Sequence, residues 1–257
     1  MPDLPALWRE RLSAYTFTRQ TIGESHAEVF RLDAPDQPAL FIKSEAISPF
    51  AQLPAEIARL RWLQTMSLPA ASVLDVADHG DRHYLLMSAV PGADMASWPK
   101  SAASDIIATL ASALRRLHDT PTAACPFDLT LATMLPHAKA HMDAGLVDET
   151  DFDDERLGQR TPELYARLIA NRPPETDLVV GHGDACLPNF LMLDGKFTGY
   201  IDTSRLGIAD RQADLAICTR SIAFNLGEDA VAPFLKAYGA DLDPSRAAYY
   251  RLLDEFL

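Results

Sequence analysis

Residues Val179 to Asp202 read VVGHGDACLPNFLMLDGKFTGYID. The apolar pair Val179-Val180 leads, as a short strand would, into His182-Gly183-Asp184, and Asn189 follows shortly after. Asp194-Gly195 is a hairpin turn signal, and the apolar run beyond it delivers Asp202. One compact unit therefore presents two carboxylates and an amide. Phosphoryl transfer from a nucleotide needs such a set: one carboxylate near the acceptor hydroxyl, and an amide oxygen plus a second carboxylate holding magnesium on the phosphates. A His-Gly-Asp triplet alone reads as a turn with a satisfied carboxylate; Asn189 and Asp202 at these spacings turn the reading toward chemistry.

Around this unit, 257 residues with 48% hydrophobic and 23% charged composition suffice for at least one sizeable core and exclude a disulfide-stapled miniprotein or a disordered tail. Lys and Arg total 23 against 36 Asp and Glu, a net charge of -13 that argues against a nucleic-acid partner. Cys125, Cys186 and Cys218 form no C-x-x-C pair and have no zinc-ligand spacing, as expected of reduced cytoplasmic thiols. The opening MPDLPALWRERLSAYTF has no signal-peptide core, and no run approaches the roughly 20 apolar residues of a membrane span. The expectation is a soluble cytoplasmic protein with no membrane partner; oligomeric state is not legible.

The first ninety residues or so are mixed. PALFIK (Pro38 to Lys43) and HYLLMS (His83 to Ser88) have strand character. In the stretch separating them, Pro54 opens a helix whose stripe is Ile57, Leu60, Leu63 and Met66. After Pro91-Gly92 the character changes. Ile106, Ile107, Leu110, Ala113, Leu114 and Leu117 keep the helical period, and Thr161-Pro162-Glu163 suits a helix start with Thr161 as cap. Further helices are expected over Ala213 to Leu226, Asp229 to Tyr238 and Ser245 onward, the first two stopped by Gly227 and Gly239.

HGDACLPN, GYID, SRLGIADR, ADLA, YRLLDEF, PAEIARLRWL, LRRLHD and AGLVDE together resemble the aminoglycoside 3'-phosphotransferases, relatives of the protein kinases. The resemblance runs over most of the chain. It implies an α+β, bilobal protein-kinase-like fold: a small N-terminal lobe with an antiparallel sheet over residues 1–87, a hinge over 88–92, and a larger, mostly helical C-terminal lobe over 93–257. ATP is expected between the lobes with Mg2+. By the same resemblance Asp184 is the catalytic carboxylate, Asn189 and Asp202 coordinate Mg2+, and His182 braces the loop. Lys43 contacts the α- and β-phosphates and is oriented by Glu56; taken alone, that pair reads as a surface salt bridge. Backbone amides of Ser25, His26 and Ala27 stand where kinases have a glycine-rich loop, though an ordinary hairpin turn accounts for them nearly as well. The Ser88 carbonyl and Val90 amide are expected at the purine edge.

The substrate is expected to be a polycation. DETDFDDE, Asp148 to Glu155, holds six acids in eight residues. Composition alone makes such a run a solvated face, but the resemblance places Asp151, Asp153, Asp154 and Glu255 among aminoglycoside-contacting positions, with Asp254, the Leu257 carboxylate, Arg205 and Arg220 nearby. Structural ion pairs are as good a reading for Arg220. Ser221 stands where close relatives often have Asp, Thr203-Ser204 replaces their Cys-Gly, and Leu257 replaces a Phe. The function implied is ATP-dependent phosphorylation of the 3'-hydroxyl of kanamycin- and neomycin-type aminoglycosides, which confers resistance. The alternatives are a kinase of the same fold acting on choline or a fructosamine, and a silent nucleotide- or polyamine-binding protein.

Overall fold

The computed structural model describes residues 3–20 and 27–257. The chain divides into two compact units: Met1–Gly92 with Leu191–Leu193 and Thr198–Ser204, and Ala93–Phe190 with Asp194–Phe197 and Arg205–Leu257. Asp202 thus belongs to the first unit and Asp184 to the second.

The first unit begins with a short helix, α1 (Ala6–Arg11), followed by β1 (Thr16–Gln20), β2 (Glu28–Asp33), β3 (Leu40–Ala46), helix α2 (Leu53–Thr65), β4 (Val73–His79) and β5 (Arg82–Ser88). The strands form one antiparallel sheet in the order β1-β2-β3-β5-β4. PALFIK and HYLLMS fall on two of its three inner strands, β3 and β5, paired from Leu40↔Ser88 to Ala46↔Arg82. β1, β2 and β4 carry too few contiguous apolar residues to read as strands; β4 alternates half-buried and exposed along its length. Leu4, Trp8, Leu32, Ile42, Tyr84 and Leu86 form a core on one face of this sheet, and Trp8 Nε1 donates to Asp75 Oδ2 at 2.9 Å. The stripe of α2 differs from the expected one. Leu53, Glu56, Leu60, Trp62 and Leu63 are its buried residues, while Ile57 and Met66 are only half-buried.

The second unit contains β6 (Ala93–Asp94), α3 (Ala103–His118), α4 (Leu131–Asp143), α5 (Thr161–Ala170) and β7 (Leu178–Gly181). A hairpin of β8 (Phe190–Leu193) and β9 (Lys196–Tyr200) contributes residues to both units. Then come β10 (Gly207–Asp210), α6 (Arg211–Leu226), α7 (Val231–Tyr238) and α8 (Pro244–Asp254). The hairpin turns at Asp194-Gly195, both with positive φ (51° and 71°), as that dipeptide requires. α3 buries each of its six expected apolar positions. Thr161 is not the cap of α5 but its first residue: its N–H and Oγ1 both bind Glu149 Oε1 at 2.9 Å, so the cap is supplied from twelve residues upstream. α8 is capped by Asp243, whose carboxylate accepts from the N–H groups of Ser245 and Arg246.

A core of Leu131, Leu135, Ala138, Phe152, Leu164, Leu168, Ala216, Leu252, Leu253 and Phe256 ties α4, α5, α6 and α8 together. Phe256 is 1% exposed, and Tyr165 packs edge-on against it. Residues after α8 are therefore packed, not frayed. Phe256→Ala is expected to cost about 3 to 5 kcal/mol, measured as a fall in the urea midpoint at unchanged slope; a cost below about 1 kcal/mol would detach the last turn from the core.

Candidate active site

In the first unit, β3 buries Lys43 between Ile42 and Ser44, and α2 supplies its partner. Glu45 Oε2 accepts the Leu53 N–H at 2.7 Å, so β3 itself caps the first turn of α2 and sets its position. One turn on, Glu56 lies with both carboxylate oxygens 3.0 Å from Lys43 Nζ. The pair is no surface salt bridge: Lys43 is 8% exposed and Glu56 6%. Lys43 Nζ also bonds Asp202, whose side chain is half-exposed and whose backbone has a φ of 51°. Burial works against the lysine charge, but Glu56 and Asp202 overcome it and hold the ammonium pKa above its ordinary value. Glu56 moves upward too, because burial outweighs the ammonium beside it and Asp202 adds a second negative charge.

Asp202 is fixed by what precedes it. Tyr200 N–H bonds the Pro69 carbonyl at 3.0 Å, and a Cβ on Gly199 would lie 2.8 Å from Val90 Cγ1. That close approach leaves room only for glycine. Ser88 is joined to Ser72, its N–H to the Ser72 carbonyl at 3.0 Å and its Oγ to the Ser72 N–H at 2.8 Å. Of the phosphate-loop expectation, Ser25 and His26 lie outside the described residues; Ala27 is half-buried just before β2.

In the second unit, β7 pairs antiparallel with β10 and delivers His182, Gly183 and Asp184. Gly183 has a φ of 79°, and a Cβ there would collide with the Arg205 carbonyl. Asn189, 4% exposed, sits in a 3-10 turn and donates Nδ2 to Asp184 Oδ2 at 2.8 Å and to the Asp184 carbonyl at 3.0 Å. Its amide oxygen is thereby the atom turned away from Asp184. His182 is fully buried, its ring 5.5 Å from that of Phe190, which suits a brace.

The backbone of this loop is held by a residue quoted in ADLA but given no role from sequence. Asp214 on α6, 2% exposed, accepts the N–H of His182 at 2.6 Å and of Gly183 at 2.9 Å, and pairs with His118 Nε2 at 2.9 Å. His118 Nδ1 lies 2.6 Å from Tyr238 Oη, which accepts from Arg211 Nη1. The Asp214 carboxylate can only accept, so the proton between it and His118 lies on His118 Nε2. Ser221 on the same helix accepts the Leu187 N–H at 2.9 Å, so the hydroxyl found where relatives often have Asp supports the loop.

The acidic positions fall into two groups. Asp151 and Asp154 are exposed. Asp153 accepts from Arg156 and Arg220, Glu255 from Arg156, and Asp254 from Arg205 and Arg220. Burial opposes the charge of Asp254, but the two arginines hold its carboxyl below the ordinary value. Arg205 also lies 3.6 Å from Asp184. Leu257 is half-buried, its N–H on the Asp254 carbonyl at 3.1 Å. Arg156 was passed over in the sequence because nothing distinguishes it from a solvated arginine until its 4% exposure is seen. Cys125 and Cys218 are buried, and burial beside Asp184 pushes the Cys186 thiol far above its ordinary pKa.

Residues 17–250 match the model of the phosphotransferase enzyme family, and the chain belongs to that family. Among its relatives, the aminoglycoside 3'-phosphotransferase of Streptomyces fradiae is 36% identical over 248 residues, 91% of this chain and 92% of that protein. The crystal structure of an aminoglycoside-3'-phosphotransferase of type VIII matches with a TM-score of 0.89 at 34% identity, covering 98% of this chain and 97% of that one. The aminoglycoside phosphotransferase APH(3'')-Id of Streptomyces rimosus, in complex with ADP and streptomycin, matches with a TM-score of 0.85 at 31% identity, covering 97% and 96%. The bilobal kinase-like α+β fold read from the sequence is the fold of these relatives. Among the described residues no helix is long and apolar enough to cross a membrane.

Burial pushes the Asp214 carboxyl up, but the hydrogen bonds and charge of His118 and the His182 N–H outweigh it, so it sits below the ordinary value of 3.8. A carboxyl depressed in the folded state contributes stability above its unfolded pKa and loses it as pH falls through the folded value. Asp214→Asn is therefore expected to lower the urea midpoint at pH 7 and by a smaller margin below about pH 4. A gap that does not narrow toward acid would deny Asp214 its charged, load-carrying state.

Proposed function

We propose that this protein is an ATP-dependent phosphotransferase that moves the γ-phosphoryl group to the 3'-hydroxyl of kanamycin- and neomycin-type aminoglycosides, and so confers resistance. The observation that carries the reading is Lys43. A buried lysine shared by two carboxylates is costly as scaffold and apt as a phosphate contact, and in the family resemblance it holds that post. Asp184 takes the acceptor hydroxyl: as the new oxygen–phosphorus bond forms and the bond from the γ-phosphorus to the bridging oxygen of ADP breaks, the hydroxyl proton passes to the Asp184 carboxylate. The transition state is loose, so Asp184 contributes by orientation more than by basicity. Ser88 and Val90 offer the backbone groups for the purine.

The donor set fits Mg2+: the Asn189 amide oxygen and the Asp202 carboxylate are hard oxygen ligands. No group of three or more His, Cys, Asp or Glu side chains among the described residues could hold a metal, so nucleotide phosphates and water would complete the shell, as is usual for this ion. Bound there, Mg2+ would neutralise charge on the phosphates. The acceptor's ammonium groups meet carboxylates drawn from the acidic segment, of which Asp151 and Asp154 are exposed. Phosphorylation adds negative charge and bulk to a drug that binds ribosomal RNA through its positive charge.

The streptomycin-bound neighbour favours a second reading, transfer to a 3''-hydroxyl. A coupled assay of ATP turnover with kanamycin, streptomycin and choline, followed by NMR of the product, separates the two and the choline-kinase alternative. Phosphate on the kanamycin 3'-oxygen is expected; turnover with streptomycin or choline alone would overturn the reading. Asp184→Ala should remove most kanamycin turnover while nucleotide still binds, whereas Asp202→Ala should weaken Mg-ATP binding in calorimetry. Near wild-type turnover in the first, or undiminished Mg-ATP affinity in the second, would cancel the corresponding role.

A further inference from the structure

An alternating chain of charges links Glu255 to Asp184 within the second unit. Glu255 meets Arg156, Arg156 meets Asp153, Asp153 meets Arg220, Arg220 meets Asp254, Asp254 meets Arg205, and Arg205 reaches Asp184. Three guanidiniums therefore stand among four acids. They are not equally committed. The side chains of Arg205 and Arg220 are 19% and 32% exposed, but that of Arg156 is 5% exposed. Arg156 Nη1 lies 3.1 Å from Asp153 Oδ2 and 2.9 Å from Glu255 Oε1, and Glu255 Oε1 also accepts the Asp153 N–H at 3.1 Å. An arginine desolvated to this degree, with carboxylates on two sides, does not yield its place to an incoming ammonium group, since leaving would strip Glu255 of its guanidinium and Asp153 of one of its two.

We propose that Arg156 is a specificity-determining residue: its guanidinium permanently fills the anionic subsite formed by Asp153 and Glu255, and withholds that subsite from the substrate. The inference rests on the aminoglycoside reading and narrows it. Acceptors with few ammonium groups lose little by this, while those with many must place one near a fixed positive charge instead of a carboxylate. Asp153 and Glu255 then serve as frame, and cation recognition falls to the acids without a buried arginine, Asp151 and Asp154 among them.

The test is steady-state kinetics at fixed salt and saturating ATP, with neomycin and the less amine-rich kanamycin as acceptors. In Arg156→Gln the KM for neomycin is expected to fall about five- to tenfold, the KM for kanamycin less, and kcat to change by less than about twofold. The single variant leaves Glu255 without its guanidinium, while Asp153 keeps Arg220, and can fail to fold, so Arg156→Gln/Glu255→Gln, checked by thermal melting, is measured beside it. With Asp153 relieved of Arg156 and left with Arg220 alone, its neomycin KM is also expected below wild type. An unchanged or raised neomycin KM in either folded variant, with kanamycin turnover intact in the wild type, overturns the inference alone. Absence of any aminoglycoside turnover by the wild type overturns the functional reading and the inference with it.

Discussion

A single buried carboxylate organises the second unit. Asp214 lies on α6 with almost no access to water, so its charge must be met by protein donors or removed at a cost of several kcal/mol. It meets three: His118 Nε2–H and the backbone N–H groups of His182 and Gly183. Two of these are consecutive amides at the end of β7, which fixes how that strand leaves the sheet and where Asp184 stands. Ser221, two turns along the same face of α6, takes the Leu187 N–H further down the loop. One helix thus grips the loop at two points a fixed distance apart, and Gly183 is the residue whose backbone can pass Arg205 on the way.

The first unit has a different device. Its central charge is positive, and two negative groups compete for it. Glu56 is held by the geometry of α2, which begins where Glu45 of β3 caps it, while Asp202 sits half-exposed at the end of a strand. Glu56 is therefore the more enclosed partner and Asp202 the more accessible one, and under the proposed function Asp202 would be the one to turn to Mg2+. In the proposed reaction the ammonium then remains in place for the phosphates.

The reading of the sequence was strongest where chemistry and local geometry coincide. Asp194-Gly195 announces its turn because few residues accept that backbone, and α3 announces itself because every inward position is apolar. Lys43 and Glu56 were legible only through the family pattern, because burial, which separates a working pair from a surface salt bridge, is not written locally. β1, β2 and β4 left little trace, since their less exposed positions are not reserved for apolar residues: in β4, Asp75 and His79 are half-buried while Leu74 and Val76 are exposed. Asp214, His118 and Ser221 were missed as loop supports for a related reason: each acts on backbone N–H groups some 30 or more residues distant, or through one another, and no spacing encodes that. The acids of the 148–155 segment looked alike in sequence and differ in the fold, because Arg156 just beyond the segment and Arg220 of α6 claim some and leave others.

The three thiols carry a consequence of another kind. Cys125 and Cys218 are enclosed by the fold, and burial, with the carboxylate beside it, discourages the Cys186 thiolate on which alkylation and disulfide exchange depend. The native protein should thus be nearly inert to maleimides and to mild oxidants, with no background to subtract. A cysteine introduced at an exposed position, for example in place of Phe224, which is 86% exposed, would then be the sole rapid attachment point for a fluorophore or spin label, giving spectroscopic access to a phosphotransferase without first stripping it of its own sulfur.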